Sequence, residues 1–421
     1  MSLLRRFFPR TIGSDDLLRH ADFRRYWLAS VLNGFGGYIT GLAFPLCAVL
    51  LLHASPAEMG MLGALSTIPA AILALPSGVI LDRQRKLPIL LASKLIQALS
   101  IASIPLAYWC GALTIHWLYA SALITGACTI LGGGAEQVFL TNLIGRDRLT
   151  DAQSKFAATD SAARLLAPGI AGLLIQWLTA PYALVVNALT FIASIACLRT
   201  LGANDPRPPP SNRHPLRDMA DGCRFIIEHR LLRTLACASA GWHFLFFGYA
   251  ALGVLFATRE LGLSPGMLGA AHVLGGVGVL LSSLLLKPLI ARHGPGGAMV
   301  IGIALCTVAY TAMTAIPPQL FGSTFGSAAA VGLVSLVLDC GVMLFLMPYT
   351  TMRQKVTPDA YLGRMISTMR LLSSMAAPAG ALAAGYLAEH WGVRTGMACM
   401  AAGGMLLTVI MKRSGTVRAK T

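Results

Sequence analysis

Three acidic residues, Glu136, Asp160 and Asp339, lie inside long apolar stretches of this chain. A carboxylate inside a membrane is costly, so such residues are candidates for function by default. Burial favours the protonated form of a carboxyl group, which would let each of them take up and release a proton. The alternative for each is a static ion pair or a hydrogen bond to a neighbouring helix. The sequence therefore predicts three proton-coupling candidates.

Basic residues also occur inside apolar stretches. Arg164 follows Asp160 by four residues, a spacing that lets the two side chains pair on one helix face. Arg370 lies in a later stretch, and we predict a gating or ion-pair role for both arginines rather than substrate contact. Lys94 lies near the end of its stretch, where a long side chain can reach the membrane surface.

A histidine in the seventh apolar stretch has aromatic neighbours. Trp242, His243 and Phe246 could form a wall against a flat or apolar molecule, and Asn33 could hydrogen-bond to the same molecule from the first stretch. These four residues are the substrate-cavity candidates. The alternative is that the rings pack against other helices or face lipid.

Several kinds of chemistry lack a matching pattern in the sequence. There is no G-x-x-x-x-G-K-[ST] loop for a nucleotide. The nine cysteines form no C-x-x-C pair, and no His/Cys cluster suggests a metal. No nucleophile lies near a base in a pattern that predicts catalysis. We therefore expect no catalytic residue, no metal and no cofactor.

The elements that would position these residues are membrane helices. Hydrophobic residues make up 56% of the 421 residues and charged residues only 12%, against about 25% charged residues in soluble proteins. Apolar runs of about 20 residues recur along the chain. We predict an all-α membrane protein with twelve transmembrane spans: 26–52, 59–81, 87–110, 116–142, 156–178, 182–201, 232–257, 266–286, 296–316, 320–348, 365–388 and 391–411.

The basic residues are distributed unevenly between the two sides of these spans. With the N-terminus inside, the inner segments hold 28 of the 33 Lys and Arg residues, and the outer loops hold only Arg259 and Arg394. This asymmetry predicts cytoplasmic N- and C-termini. The net charge of +16 then reflects topology and affinity for anionic lipid rather than binding to nucleic acid.

One long connection divides the spans into two halves. Asp160–Pro168 aligns with Arg370–Pro378 at an offset of 210 residues, which suggests an internal repeat. We predict two pseudo-symmetric six-helix bundles, with an amphipathic segment of the linker on the inner membrane surface. The predicted regions are an N-terminal tail, a first bundle, a linker, a second bundle and a C-terminal tail, at 1–25, 26–201, 202–231, 232–411 and 412–421.

A charged loop, Gly78–Lys86, joins the second and third spans. Its basic residues, Arg83, Arg85 and Lys86, hold the loop on the inner side by the positive-inside rule. An acid has no such use, so Asp82 needs another explanation.

The chain resembles the major facilitator superfamily over nearly its whole length. Four stretches carry the resemblance: Phe23–Leu28, Gly78–Lys86, Glu260–Gly269 and Gln354–Arg364. The last stretch is similar to a pattern of the branch that contains enterobactin exporters and macrolide-efflux proteins, and the chain looks like that branch. The loop departs from the family pattern because only Gln84 separates its Asp-Arg from its Arg-Lys. The resemblance implies the major facilitator fold, with spans 1, 4, 7 and 10 around a central cavity that Glu136 and Asp339 approach from opposite halves.

The resemblance also implies a conformational latch between the halves. Asp82 would dock near Gly363 and Arg364 when the inner gate is closed, because a helix N-terminus attracts a carboxylate. Gly78 would allow the close approach, with Arg83, Arg85 and Lys86 beside it.

A helix-5 motif of family exporters is partly matched at Pro168, Gly169 and Gly172, where Ala167 replaces its first glycine. That motif favours antiport.

The functional prediction is a secondary transporter that exports a small amphiphile, a siderophore or a drug-like compound of the macrolide type, in exchange for protons. The alternatives are an importer of lysophospholipids or small solutes with the same fold and, more remotely, a membrane enzyme or a channel. The expected partners are substrate, protons and lipid, without nucleic acid. The expected form is a monomer that crosses the bacterial inner membrane many times.

Overall fold

The computed structural model describes residues 16–73, 76–145, 147–202 and 215–414, and every regular element in these ranges is helical. We number the α-helices in chain order: α1 Ala21–Leu46, α2 Pro56–Ile72, α3 Pro76–Arg83, α4 Lys86–Trp109, α5 Ile115–Ile144, α6 Leu149–Leu178, α7 Ala180–Arg199, α8 Pro215–Glu228, α9 Arg230–Leu255, α10 Pro265–Ala315, α11 Thr324–Lys355, α12 Asp359–Trp391 and α13 Val393–Arg413.

The number of membrane spans depends on how two breaks are counted. Ten helices among the described residues are long and apolar enough to cross a membrane, or eleven if α2 and α3 form one bent span. Helix α10 has 51 residues and non-helical backbone at Gly294, with φ 73° and ψ 169°. At 1.5 Å per residue it would be about 77 Å long, more than twice the hydrocarbon thickness of a bilayer. Division of α10 at Gly294 supports twelve spans, a number that stays a prediction.

The first helix of each half ends in the same way. A five-residue π-helical turn follows α1 at Cys47–Leu51, and another follows α9 at Phe256–Glu260. Their first residues differ by 209 positions, and so do Ser55 and Ser264, which cap α2 and α10. The side chain of each serine accepts a hydrogen bond from a backbone N–H of the first helical turn. These features support the predicted internal repeat.

The register of the repeat between α6 and α12 differs from the predicted one. The residue that follows α6 is Thr179, with φ 71°, and the residue that follows α12 is Gly392, with φ 87°, which gives an offset of 213 residues. At this offset Pro168 corresponds to Ala381. The predicted offset of 210, which paired Pro168 with Pro378, was therefore wrong by about one helical turn. The shared Ala-Pro lies at different depths in the two helices.

The connections between helices gather at two ends of the molecule. The terminal end carries residues 16–20, the loop at 84–85, the linker helix α8 and the end of α13. Here Asp16 accepts hydrogen bonds from Leu18 N–H and, at 2.9 Å, from the Lys155 ammonium, and both lower its pKa. The far end carries the exposed rings of Trp109, Trp177 and Trp391 at helix ends. Tryptophan is enriched at membrane–water interfaces, so these rings suit that boundary.

The linker helix α8 packs against the start of α12. The Phe225 ring stacks on Tyr361 at a centroid distance of 4.9 Å, and Ile226 is buried. Asp221 forms an ion pair with Arg364 across 3.4 Å. The predicted amphipathic segment is therefore a helix with one face against protein. Residues 203–214 and 415–421 of the predicted linker and tail lie outside the described residues.

Candidate functional site

A cavity between the two halves of the molecule has three connected lobes. The apolar lobe of about 410 Å³ and the arginine lobe of about 410 Å³ share Phe247. The arginine lobe and the glutamate lobe of about 480 Å³ share Arg370. Thr129 lines both the apolar and the glutamate lobes. Because the lobes have lining residues in common, we treat them as one cavity.

The apolar lobe lies among α1, α2, α5 and α9. Phe44, Leu62 and Phe247 contribute apolar surface, and Thr40 and Ser66 contribute hydroxyl groups. A mostly apolar pocket with a few polar groups is the usual form of a small-molecule site. This lobe could hold the apolar part of a small molecule.

The arginine lobe lies among α2, α9, α11 and α12. Arg353 and Arg370 line it together with hydroxyl groups of α9, α11 and α12. Arg353 Nη1 donates to the Tyr349 hydroxyl at 3.4 Å, and its guanidinium lies 4.9 Å from the centre of the Tyr349 ring. The buried tyrosine therefore fixes the position of this guanidinium.

His243 lines the same lobe in one defined tautomer. Its Nδ1–H donates to the Ser239 carbonyl oxygen at 2.7 Å, because a carbonyl can only accept. This bond leaves Nε2 as the ring nitrogen that is available to the cavity. The Ser239 hydroxyl is hydrogen-bonded to the Ser373 hydroxyl at 2.8 Å and ties α9 to α12.

The predicted aromatic wall is only partly correct. Trp242 is buried and stacks on Phe246 at 4.8 Å, so these two rings pack among the helices of the second half. His243 faces the cavity, as does Phe247, which the sequence analysis did not select. Asn33 is not among the lining residues of the three lobes.

The glutamate lobe brings a carboxylate of the first half toward an arginine of the second. Glu136 on α5 and Arg370 on α12 both line it. Lys94 on α4 lies within electrostatic range of Glu136 and 5.9 Å from the Phe191 ring. The prediction that Lys94 reaches the membrane surface was wrong, because this side chain is 6% exposed and lies among the helices.

A second charged cluster joins the halves elsewhere. Arg164 Nε donates to Asp160 Oδ2 at 2.8 Å, so the predicted i,i+4 pair is present. Asp339 lies within electrostatic range of Arg164 and of His272. A Cβ added to Gly275 would fall 2.2 Å from Asp339 Oδ2, so this carboxylate lies directly against α10. Asp339 is not among the lining residues of the lobes and does not meet Glu136 there.

Paired glycines close the far end of the cavity. A Cβ on Gly60 of α2 would lie 2.8 Å from the Cα of Gly385 of α12. On the other side, a Cβ on Gly269 of α10 would lie 2.7 Å from the Cα of Gly172 of α6. Only glycine permits such backbone approach. The motif predicted for the fifth span lies on α6 and packs on α10. Gly169 also lies against Val273, and the Pro168 carbonyl oxygen lies against Gly269.

We call the Gly60–Gly385 and Gly172–Gly269 contacts the glycine crossings. A hydrogen bond between the halves lies beside each glycine crossing. Glu389 Oε2 on α12 accepts from the Ala57 N–H of α2 at 3.0 Å. Gln176 Oε1 on α6 accepts from the Gly266 N–H of α10 at 2.9 Å. Neither Glu389 nor Gln176 was predicted from the sequence. Their signal is a repeated spacing, Ser-Pro-x-x-x-Gly at the start of α2 and α10 and Gly-x-x-x-Gln or Gly-x-x-x-Glu at the end of α6 and α12.

The terminal end is open by comparison. Asp82 is exposed and has no ion-pair partner among the described residues, while Arg364 is paired with Asp221. A Cβ added to Gly78 or Gly363 would meet no atom within 4 Å. The structure therefore does not bring Asp82 and Arg364 together, and the halves are apart where the predicted latch would close.

The basic residues of the loop have different environments. Arg83 and Arg85 are exposed, whereas Lys86 is 4% exposed. The Lys86 ammonium donates to the carbonyl oxygens of Leu81 and Gln84. Lys86 thus holds the short loop in shape.

Comparisons with known proteins agree with this architecture. The family model of the Major Facilitator Superfamily matches residues 26–377. The chain belongs to the major facilitator superfamily. It is a multi-pass membrane transporter rather than an enzyme.

Two relatives of this superfamily member are exporters by name. It is 25% identical over 400 residues to the multidrug efflux pump Tap of Mycolicibacterium fortuitum, covering 91% of this chain and 93% of the pump. It is 24% identical over 356 residues to the enterobactin exporter EntS of Escherichia coli O1:K1 / APEC, covering 83% and 81%.

Solved structures of two transporters share the fold. The nucleoside transporter NupG gives a TM-score of 0.75 at 13% identity and covers 92% of this chain and 97% of its own. A bacterial homologue of the iron transporter ferroportin, in an inward-facing state, gives 0.74 at 17% identity and covers 94% and 98%. At these identities the likeness concerns the fold alone.

Proposed function

We propose that this transporter exports a small amphiphilic compound in exchange for protons. The single observation that carries the proposal is the cavity, which joins an apolar lobe to charged lobes and is closed at the far end by both glycine crossings. The names of the two relatives favour export of a siderophore or a drug-like compound. The partial helix-5 motif at Pro168, Gly169 and Gly172 points the same way.

The proposed orientation has the terminal end in the cytoplasm of a bacterium, with the protein in the inner membrane as a monomer. The support is the excess of Lys and Arg in the segments at that end. A cavity open there is accessible to cytoplasmic substrate. Closure of the terminal end by Asp82 at Arg364, with separation of the glycine crossings, would then expose the cavity to the other side.

Two carboxylate sites are the proton-coupling candidates of this proposal. Glu136 lies in the cavity, and Asp339 lies beside Arg164 and Gly275 at a contact between the halves. Asp160 forms an ion pair with Arg164 on its own helix, which makes it the weaker candidate. In this scheme Glu136 takes up a proton from the far side and releases it to the cytoplasm.

Inverted membrane vesicles test the direction of transport. With an acidic lumen, wild-type protein should accumulate a catecholate siderophore or a macrolide, and an ionophore that collapses the pH gradient should release it. We expect Glu136→Gln and Asp339→Asn to abolish this accumulation but to preserve substrate exchange without a gradient. Glu228→Gln is a matched control, because Glu228 lies on the exposed face of α8 and pairs with Arg224.

The importer alternative gives a different result in the same vesicles. A lysophospholipid also has an apolar chain and an anionic head, which would fit the apolar and arginine lobes. Transport of lysophospholipid out of the lumen, with no accumulation of the other compounds, would replace the export proposal with the importer.

A further inference from the structure

The arginine lobe concentrates positive charge, and no carboxylate of the described residues lines it. Neither Arg353 nor Arg370 has a carboxylate within ion-pair distance among the described residues. Arg353 Nε is buried and makes no hydrogen bond with any of the described residues. Arg353 is half-buried, whereas Arg370 is exposed and lines the cavity. A half-buried guanidinium such as that of Arg353 is normally paired, because an unpaired charge loses its hydration without compensation.

The position of Arg370 is not explained by membrane topology. It lies eleven residues after the first residue of α12, about 17 Å along the helix axis. The positive-inside rule acts through residues in loops and near helix ends, where a charge remains in water. An arginine deeper in a membrane helix faces a cavity or a partner, and here it faces the cavity.

Other groups in the lobe can donate hydrogen bonds to a ligand that contacts the two arginines. Ser374 and Thr350 line it with their hydroxyl groups. Arginine forks bind the two oxygens of a carboxylate or phosphate side by side, and hydroxyl groups complete such a site. The lobe has no carboxylate among its lining residues that would suit a cationic ligand.

We propose that the arginine lobe binds an oxyanion of the transported molecule, a carboxylate, a phosphate or an ionised phenol. The apolar part of the same molecule then lies in the apolar lobe, because Phe247 and Ala70 line both lobes and make them continuous. Arg353 and Arg370 are the specificity-determining residues. This inference rests on the proposed function and narrows the amphiphile to an anionic one.

The test measures binding rather than transport, so its failure is separate from failure of the export proposal. The probes are 11-(dansylamino)undecanoic acid, the same chain ending in a phosphate monoester, and the methyl ester of the acid. Energy transfer from protein tryptophan to dansyl reports binding to the full chain in nanodiscs, with empty nanodiscs subtracted. We expect the wild-type protein to bind at least one anionic probe about ten-fold or more tightly than the ester, the scale of a hydrogen bond to a charged group.

Substitutions then assign that preference to the lobe. We expect Arg353→Gln and Arg370→Gln each to weaken binding of the anionic probes by about ten-fold. Each should change the affinity for the methyl ester by less than about two-fold. Arg370→Lys should lose less, because it keeps the charge and loses only the fork. Arg292→Gln, an exposed arginine outside the cavity, should change neither affinity.

Two results would overturn the proposal. Equal wild-type affinity for the ester and both anionic probes would remove the oxyanion preference. An equal loss of ester and anionic binding in the two glutamine variants would show that the arginines only maintain the shape of the cavity.

Discussion

At the scale of single residues, the sequence predicted what local spacing determines. The Asp160–Arg164 pair follows from i,i+4 geometry within one helix and is present at 2.8 Å. Which of the neighbouring rings faces the cavity depends on how a helix is rotated against others, and the sequence does not contain that rotation explicitly. Trp242 therefore turned out to be buried, whereas Phe247 lines two lobes.

The same limit explains Arg353. By counting along the chain, it belongs to an inner loop and needs no explanation beyond topology. The tertiary structure places it on the arginine lobe against Tyr349.

A prediction at this scale concerns the charge balance of the cavity. Glu136 and Arg370 line the same lobe, so a charged Glu136 carboxylate would lower the positive potential at the guanidinium. Glu136→Gln should therefore tighten binding of the anionic dansyl probe several-fold while abolishing proton-driven transport. Unchanged affinity, measured by the same energy transfer, would mean that Glu136 and the anion site do not interact.

At the scale of helices, the far end is held by two equivalent crossings. The Glu389–Ala57 bond and the Gln176–Gly266 bond each place a side-chain oxygen at the start of a helix of the other half. Such a cap contributes about 1 kcal/mol, and two of them bias the equilibrium toward the far-closed state. No single span predicts these contacts, because each joins segments that are far apart in sequence.

We expect Glu389→Ala to increase the far-open population by about five-fold, the equivalent of a lost cap. Glu389→Gln is the matched control, because Gln176 makes the equivalent bond with an amide oxygen. Spin labels at Leu52 and Trp391 would report the far-end distance by electron paramagnetic resonance. If the glutamine variant opened as far as the alanine variant, the capping role of Glu389 would be refuted.

A second prediction at this scale concerns the partner of Arg364. Asp221 on α8 forms an ion pair with Arg364 in this structure, whereas in the closed latch Asp82 would contact Arg364. Asp221→Asn should therefore favour the state with a closed terminal end, and Asp82→Asn should favour the open one. Labels at Gln84 and Gln354 would measure the distance across that end. Shifts in the same direction for both variants would exclude an exchange of partners.

At the scale of the whole molecule, composition and charge placement predicted an all-helical protein with many membrane spans, and the resemblance of four stretches predicted a transporter of the major facilitator fold. Hydropathy and the uneven distribution of Lys and Arg are properties of whole segments, so they survive errors at single residues. The offset of the internal repeat was less accessible. A short match of nine residues suggested 210, whereas the helix ends and glycine crossings give 209 for α2 and α10 and 213 for α6 and α12.

Proton movement on addition of substrate tests the central claim most directly. Inverted vesicles with an acidic lumen and a lumenal pH dye would receive the substrate identified by the accumulation assay. Coupled export predicts that the lumenal pH rises with wild-type protein, because protons leave as substrate enters, and that it stays constant with Glu136→Gln or Asp339→Asn. Substrate entry without any change in lumenal pH in the wild type would contradict proton coupling.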